Sequence, residues 1–319
     1  MVEVESEPDL VDVVRTADEA GRPLLVLGGG SNLVVDDAGF EGLVVAVRTR
    51  GIEIESDACS GATVRVAAGE PWDEFVATAL QEGWVGVEAL SGIPGLVGAT
   101  PIQNVGAYGQ EVADTIAQVH AYDRVECRRR TLFNADCGFG YRSSAFKQHP
   151  DRYVVGAVTF QFRPGRLGAP VKYAELARTL GVEVGQRVPA AEVCQTVLGL
   201  RRSKGMVLDE GDHDTWSAGS FFTNPFVSPE ALPEGAPAWP QPDGRVKSSA
   251  AWLIERAGFT KGFGNERVSL STKHTLALTN RGGATTADLV ALAREIRDGV
   301  RDRFGIELRA EPTFVGCRL

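Results

Sequence analysis

Three polar side chains lie in stretches whose composition is typical of a small-molecule site. Arg142 follows Gly138 and Gly140, and a guanidinium held on such a backbone can bind a carboxylate or a phosphate. Ser220 stands beside two phenylalanines, and Glu311 stands directly before a proline. A cation, a hydroxyl and a carboxylate are together the groups needed to bind an anion and move a proton.

Each of the three also has a plainer interpretation. A single arginine is most often a surface residue. Ser220 can serve in a turn or a helix cap, with Phe221 and Phe222 in the core, and it lacks the Gly-x-Ser-x-Gly pattern of a nucleophile elbow. A glutamate before a proline is ordinarily extended and exposed. The residues alone leave both interpretations open.

An anion site is indicated near the start of the chain. Leu24–Leu27 is predicted to be a buried strand, and Gly28–Asn32 follows it with closely spaced backbone N–H groups, a hydroxyl and an amide. The run lacks the third glycine of the dinucleotide fingerprint and the Gly-Lys-Ser/Thr ending of the kinase-type loop. It is therefore predicted to be a phosphate loop of another architecture, with a plain tight turn as the alternative.

A second glycine-rich stretch spans residues 86–109. Six glycines interrupt it, too many for a regular element, and the apolar residues between them argue against disorder. Long loops inside compact domains are typically functional. This stretch is predicted to form a second wall of the ligand site.

Composition bounds the class of protein. The 319 residues, 43% of them hydrophobic, suffice for two domains, and a formal net charge of -9 argues against nucleic-acid binding while allowing a small anionic substrate. No apolar run is long enough for a membrane helix, and the acidic start does not resemble a secretory signal, so a cytoplasmic location without membrane insertion is expected.

The histidines lack metal-ligand spacing, so no metal site is predicted. Reduced, mostly structural thiols are expected at Cys59, Cys127, Cys137, Cys194 and Cys317.

Hydrophobic periodicity predicts the elements that must position these residues. Helices are predicted at 6–20, 71–80, 190–200, from about Lys247, and after Thr285, where Asp288 completes a capping box. Strands are predicted at 24–27, 43–47, 64–68, 118–123, 153–162 and 276–278. Residues 165–185 are predicted to be less regular, 203–216 to be a domain boundary, and the proline-rich 225–242 to be irregular.

Four motifs, in this order, resemble the UDP-N-acetylenolpyruvoylglucosamine reductase (MurB) family of bacterial peptidoglycan synthesis. They are Gly28–Asn32, Ile93–Gly95 with Pro101–Gly109, Phe139–Ser144, and Gly219–Pro225. The match runs from about Ala20 to Gly316, and the segments around Tyr173 and 225–242 are similar to the larger, type I form.

The resemblance implies an α+β fold. An FAD-binding region of the PCMH or vanillyl-alcohol-oxidase type is expected at 1–200, with subdomains at about 1–50 and 51–200, and an α+β substrate domain at 201–319 whose final strand returns to the FAD region. FAD is expected to be noncovalent, because the glycine run lacks the histidine to which related flavoproteins attach it. Cofactor contacts are implied for Gly28, Gly29, Gly30, Ser31, Asn32, Ile93, Pro94, Gly98, Ala99, Thr100, Asn104, Gly106, Ala107, Tyr108 and Gly109.

The resemblance also implies roles for the three polar residues. Arg142 would be the active-site arginine, Ser220 the proton donor and Glu311 the catalytic glutamate. NADPH would supply a hydride that reaches the enolpyruvyl group of the UDP-sugar by way of FAD. Substrate contacts are implied for Tyr141, Tyr173, Lys204, Asn224 and His274, with Lys204 as the diphosphate cation.

Two alternatives remain at this point: an oxidase that uses oxygen, and a catalytically silent binder of flavin or UDP-sugar. Family members usually carry a further segment ahead of the first helix, whereas Met1 here leads almost directly into it. If that segment completes the FAD subdomain, weaker flavin binding is expected. A monomer is also expected.

Overall fold

A computed structural model describes residues 1–57 and 61–319, and the side chains of residues 55–57 are not part of the description. Cys59 lies outside the described residues. Contact clustering divides the chain into unit 1, residues 1–30 and 41–201, and unit 2, residues 31–40 and 202–319.

Nineteen strands are found among the described residues. They are β1 (Val2–Val4), β2 (Leu24–Leu27), β3 (Leu33–Val35), β4 (Leu43–Val47), β5 (Ile52–Asp57), β6 (Gly61–Ala67), β7 (Trp84–Val85), β8 (Gly106–Ala107), β9 (Gln110–Glu111), β10 (Ile116–Asp123), β11 (Arg128–Phe133), β12 (Tyr153–Pro164), β13 (Ser217–Ser220), β14 (Phe226–Val227), β15 (Ala238–Pro240), β16 (Val246–Ser248), β17 (Val268–Leu270), β18 (Ala277–Asn280) and β19 (Thr313–Val315).

Seven α-helices accompany these strands in the described part of the chain. They are α1 (Glu7–Glu19), α2 (Trp72–Gln81), α3 (Ala145–Gln148), α4 (Ala174–Leu180), α5 (Ala190–Ser203), α6 (Ala250–Arg256) and α7 (Thr286–Phe304).

Unit 1 contains a small parallel sheet and a larger antiparallel one. The small sheet has the order β1-β4-β2, and the larger one has the order β11-β10-β12-β6-β5, with β7 also paired to β12. Helix α2 buries Trp72, Phe75 and the rest of its predicted apolar face, and the Phe75 ring lies 5.0 Å from that of Phe160 on β12. The antiparallel sheet and α2 therefore form a rigid base beneath the glycine-rich loops.

Unit 2 is built from three short sheets and two main helices. The sheets have the orders β13-β18-β17, β14-β16-β15 and β19-β3. Helix α7 begins at the predicted capping box, in which Thr285 and Asp288 each accept a hydrogen bond from the other's backbone N–H, and it ends at Gly305, whose φ is +69°. Its buried face packs into a core that includes Phe221, Phe222 and α6.

Local signals predicted five of the seven α-helices and six of the nineteen strands of the described residues. Ser6 caps α1 by accepting from the Asp9 amide, as expected. The prediction that 225–242 is irregular is wrong, because β14 and β15 both pair with β16 there, and Pro240 lies at an end of β15 where its missing N–H is tolerated. Long-range pairing decided these strands, and no local pattern marked them.

Other elements also differ from prediction. Helix α4 lies inside the segment predicted to be less regular. The helix expected from about Lys247 begins at Ala250, because Lys247 belongs to β16 and Ser249 provides the N-cap. Strand β1 was not predicted, since three residues carry too little periodicity to stand out.

Candidate active site

The glycine run after β2 packs against the second glycine-rich stretch within unit 1. A Cβ at Gly29 would lie 2.9 Å from the Cα of Gly95, which only direct backbone-to-backbone contact explains. A Cβ at Gly28 would lie in ordinary contact, 3.7 Å from Leu96. Gly29 and Gly95 therefore bring the backbones of two loops into direct contact, with no side chain between them.

The loop continues from Gly95 through a single turn of 3₁₀-helix, Val97–Ala99. The Gly98 amide donates to the Ala68 carbonyl at 2.9 Å, and a Cβ at Gly98 would overlap Ala68. Thr100 is buried and donates its hydroxyl to the Val97 carbonyl. Gly98, Ala99 and Thr100 are thus placed by the end of β6.

Backbone strain is concentrated at the predicted site. Among the described residues, positive φ at a non-glycine residue occurs at Asn104 (48°), Tyr108 (49°), Cys127 (51°) and Arg142 (52°). Cys127 lies in the turn between β10 and β11, and the other three are predicted site residues. Such conformations cost about 1–3 kcal/mol each and persist where the surroundings impose them.

The Asn104 side chain connects the strained residues. Its Nδ2 donates to Glu111 at 2.8 Å and to the Gly140 carbonyl at 3.1 Å, and its Oδ1 accepts from the Ala113 amide at 3.2 Å. The turn at Gly106–Gly109, which joins β8 to β9, and the arginine-bearing loop are therefore cross-linked through one buried amide.

Arg142 is held against this turn. Its Nη2 donates to the Gly106 carbonyl at 2.5 Å, and its Cζ lies 5.3 Å from the centroid of the Tyr141 ring. Buried Ser144 donates its hydroxyl to the Ile102 carbonyl, which ties the same motif to the glycine-rich loop. The plain interpretation of Arg142 as a loose surface arginine is not supported, since its guanidinium is anchored.

Two tyrosines meet beside the turn. The rings of Tyr108 and Tyr173 are 5.6 Å apart in an edge-to-face arrangement. Burial raises the pKa of Tyr108 to about 12, opposed by the positive charge of Arg201, and burial also raises the pKa of Tyr173. Both phenols stay protonated at neutral pH and can donate hydrogen bonds.

In unit 2, backbone pairing places Glu311 opposite Phe221, the residue that follows Ser220. Ser220 ends β13, directly after a bulge at which Gly219 has a φ of +78°. The Glu311 amide donates to the Phe221 carbonyl at 2.8 Å, and Phe222 forms a bridge with Ala310. The buried Phe221 and Phe222 fix this pairing from beneath.

Three of the implied substrate residues also lie in unit 2. Asn224 Oδ1 accepts from the Ala250 amide at 3.0 Å, at the start of α6. His274 Nδ1 accepts from the Leu276 amide at 3.1 Å, and the Leu276 carbonyl accepts from Phe221, so the imidazole is fixed one strand from Ser220. This bond requires an unprotonated Nδ1 and places the imidazole proton on Nε2. Lys204 follows α5 and is half-buried.

The last two residues of the glycine run are placed by the C-terminus of the chain. Asn32 accepts from the Thr313 amide through its carbonyl, and β19 continues this contact by pairing in parallel with β3. Ser31 and Asn32 belong to unit 2, whereas Gly28–Gly30 belong to unit 1.

Some residues that support the loops were not predicted. Asp73 and Arg201 both contact the backbone of Gly92, and Glu88 accepts hydrogen bonds from Gln110 and from two backbone amides. Asp73 and Arg201 lie 19 and 109 residues from Gly92, and all three charged residues lie outside the four motifs. No local pattern distinguishes Asp73 or Arg201 from the other charged residues of their helices.

Metal-type clusters and membrane-spanning helices are both absent from the described part of the chain. Among the side chains of 1–54 and 61–319, no three His, Cys, Asp or Glu come together as a metal site would need. No helix in the described ranges has both the length and the apolar character needed to cross a bilayer.

Comparison with known proteins identifies both parts of the chain. Residues 1–126 match the model of an FAD binding domain, and residues 211–315 match that of the UDP-N-acetylenolpyruvoylglucosamine reductase C-terminal domain. The reductase of Cutibacterium acnes is 59% identical over 98% of this chain and 84% of its own length, and that of Thermobifida fusca is 57% identical over 99% and 92%. The crystal structure of the Thermus caldophilus reductase aligns with a TM-score of 0.64 at 25% identity, covering 98% of this chain and 91% of that one.

These matches confirm the expected α+β fold and the FAD cofactor. The structure fits the group, because the glycine run meets Gly95 where a Cβ would collide and no side chain separates the two loops. Those loops belong to unit 1, which includes most of the stretch matched to the FAD binding domain. The chain belongs to the UDP-N-acetylenolpyruvoylglucosamine reductase family, whose members are FAD-dependent oxidoreductases of peptidoglycan synthesis.

Proposed function

We propose that this chain uses NADPH to reduce UDP-N-acetylglucosamine enolpyruvate to UDP-N-acetylmuramate, the reaction of a UDP-N-acetylmuramate dehydrogenase, with Arg142, Ser220 and Glu311 as its catalytic residues. The observation that supports the assignment is the pairing of 221–223 with 309–311, which brings the backbone of Glu311 to within one residue of Ser220. The anchored guanidinium of Arg142 supplies the cation.

The chemistry divides between the cofactor and the side chains. FAD, held by the glycine run and by the Ile93–Gly95 loop, would supply hydride transfer from the nicotinamide to the terminal carbon of the enolpyruvyl double bond. Addition there moves negative charge onto the substrate carboxylate. Arg142, already oriented by Gly106 and Tyr141, stabilises this charge without reorganising, and Glu311 assists in positioning.

Ser220 then donates a proton to the adjacent carbon. A hydroxyl is a weak acid, but an enolate is a strong base, so a positioned alcohol suffices. The bulge at Gly219 and the hydrogen bond from the Phe221 amide to the Leu276 carbonyl fix the backbone on either side of Ser220. The proton and the hydride together saturate the double bond.

The remaining residues are assigned to binding. The N–H groups of Gly28–Asn32 and the loop at Ile93–Gly109 hold FAD, within the region 1–200. Lys204 neutralises the substrate diphosphate, while Tyr141 and Tyr173 of the region 1–200 and Asn224 and His274 of the region 201–319 contact the UDP-sugar. A cytoplasmic monomer is the state in which we propose that the enzyme works.

A serine-to-alanine change tests the assignment. Ser220→Ala should keep FAD binding and NADPH-dependent bleaching of the flavin, while re-oxidation by the enolpyruvyl substrate slows about 10²- to 10⁴-fold, because only the proton donor is lost. Stopped-flow absorbance separates the two half-reactions. Ser228→Ala, an exposed serine of unit 2, is the matched control.

Three results would contradict the proposal. Wild-type turnover by Ser220→Ala would remove Ser220 as the acid. Faster re-oxidation of the wild type by oxygen than by the enolpyruvyl substrate would indicate an oxidase. If neither NADPH nor the substrate changes the flavin absorbance of the wild-type protein, the protein is a silent binder.

A further inference from the structure

The loop that meets Gly29 is held from its far side by two charged residues of unit 1. The Gly92 amide donates to the Asp73 carboxylate at 2.5 Å, and the Gly92 carbonyl accepts from Arg201 Nε at 3.2 Å. Asp73 lies in the first turn of α2 and Arg201 near the end of α5. Both backbone polar groups of one glycine are therefore bonded to ionised side chains, and such bonds are about twice as strong as neutral ones.

Gly92 is the point at which the loop most needs this support. Its φ is +72° and that of Gly95 is +112°, so the residues on either side of Ile93 and Pro94 both have the backbone conformation that favours glycine. The Trp72 amide holds the Gly95 carbonyl at 3.0 Å, and the Trp72 indole donates to the Leu90 carbonyl at 3.1 Å. Glycine backbone has the largest entropy to lose on ordering, so fixing these residues needs several bonds.

The two side chains carry opposite charges on either side of one glycine. Arg201 is only 8% exposed, and burial lowers its pKa, while the negative charge of Asp73 opposes this effect. A buried guanidinium without a nearby anion is costly. The carboxylate of Asp73 also interacts favourably with the helix dipole, because it lies in the first turn of α2.

We infer that Asp73 is a positioning residue which, together with Arg201, clamps Gly92 and so presets the Ile93–Gly95 wall against which FAD binds. This inference depends on the proposed role of that wall. It assigns no contact between Asp73 and the cofactor. The clamp acts through the backbone, because Gly92 precedes the three wall residues and Gly95 ends them beside Gly29.

The test compares three variants of the apoprotein. Asp73→Ala removes the acceptor and the charge, Asp73→Asn keeps an acceptor oxygen and removes the charge, and Glu74→Ala removes a neighbouring carboxylate from the same turn of α2. The dissociation constant for FAD, from flavin fluorescence, should rise about tenfold or more in Asp73→Ala and less in Asp73→Asn, and should not change in Glu74→Ala. Amide hydrogen exchange in a peptide spanning 90–95 should accelerate in the same order, with no FAD present.

A Gly29→Ala variant separates failure of this inference from failure of the proposed wall. If Gly29→Ala weakens FAD binding but Asp73→Ala binds FAD like the wild type, the clamp is overturned and the wall stands. If Gly29→Ala also binds FAD normally, the wall itself is wrong. Equal loss of thermal stability in Asp73→Ala and Glu74→Ala, with unchanged exchange at 90–95, would likewise overturn the clamp.

Discussion

At the scale of the residue, strained backbone marks the site more sharply than exposure or charge does. Asn104, Tyr108 and Arg142 all have φ near +50°, and each is an L-residue that this region disfavours. The Asn104 amide and the Gly106 carbonyl hold the strain in place. The result is an arginine whose donors are oriented before any substrate arrives, which is the condition for electrostatic catalysis.

Arg142→Lys tests whether the planar set of N–H donors of the guanidinium is needed for catalysis. The lysine keeps the charge but loses the planar arrangement of donors, so we expect kcat for the substrate half-reaction to fall about 10²-fold. The dissociation constant for FAD should stay close to that of the wild type. Stopped-flow kinetics and flavin titration measure the two quantities.

The control for this change is Arg128→Lys, which alters an exposed arginine paired with Glu126 in the turn between β10 and β11. It should leave both quantities unchanged. Full activity in Arg142→Lys would show that a point charge suffices and would refute the role of the planar donor arrangement.

At the scale of the element, β13 carries Ser220 and is anchored where it begins. Asp214 lies three residues before β13 and is 5% exposed. Its carboxylate accepts from the Thr272 amide at 3.0 Å, from the Thr272 hydroxyl and from Arg281 at 2.8 Å. These bonds fasten the segment before β13 to the two ends of β18, since Thr272 precedes that strand and Arg281 follows it.

Asp214 should make unit 2 sensitive to acid. Burial alone raises its pKa, but the hydrogen bonds from Thr272 and Arg281 outweigh burial and the folded-state pKa is lowered. A carboxylate whose pKa is lower in the folded than in the unfolded state stabilises the fold at pH values above its unfolded-state pKa of about 4. This stabilisation is lost as the pH falls through the folded-state pKa. Asp214→Asn should therefore cost about 2 kcal/mol at pH 7 and progressively less below pH 4.

Urea unfolding at pH 7, 4 and 3 measures this dependence. Asp302→Asn is the control, because that carboxylate is exposed and should show little difference at any pH. An Asp214→Asn penalty that is constant with pH would contradict the assignment of the stabilisation to the ionised carboxylate.

At the scale of the whole molecule, two compact units divide the implied roles. Unit 1 holds the glycine run through Gly30, the 86–109 loop and Arg142, while unit 2 holds Ser220, His274 and Glu311. The family matches fall in the same order along the chain, with the FAD binding domain first and the reductase C-terminal domain second. A ligand that binds unit 1 should therefore stabilise that unit more than unit 2.

FAD should raise the melting temperature of the apoprotein. At one hundred times the dissociation constant, binding adds about 2.7 kcal/mol, which corresponds to roughly 5–10 °C for a unit of this size. Differential scanning fluorimetry of apoprotein with and without FAD measures the shift. Gly29→Ala should shift much less, because its Cβ would lie 2.9 Å from Gly95.

An equal shift in the wild type and in Gly29→Ala would place the cofactor elsewhere. Riboflavin at the same concentration is the ligand control. It carries no pyrophosphate, so it should produce a smaller shift if the glycine loops bind that group.

The sequence by itself determined what depends on near neighbours along the chain. The cap at Ser6, the capping box of Thr285 and Asp288, the apolar face of α2 and the four motifs are all readable within a few residues, and the motifs sufficed to indicate the family and FAD. Short-range hydrogen bonds and side-chain periodicity leave this local record.

Tertiary structure alone decided the rest. It paired Glu311 with Phe221, joined Asp73 and Arg201 at Gly92, and paired β14 and β15 with β16 in a segment that looked irregular. These contacts join residues distant in sequence, and strand register and packing select them rather than any local preference. The sequence thus identified the chemical groups, whereas only the folded chain showed which backbone contacts hold them in place.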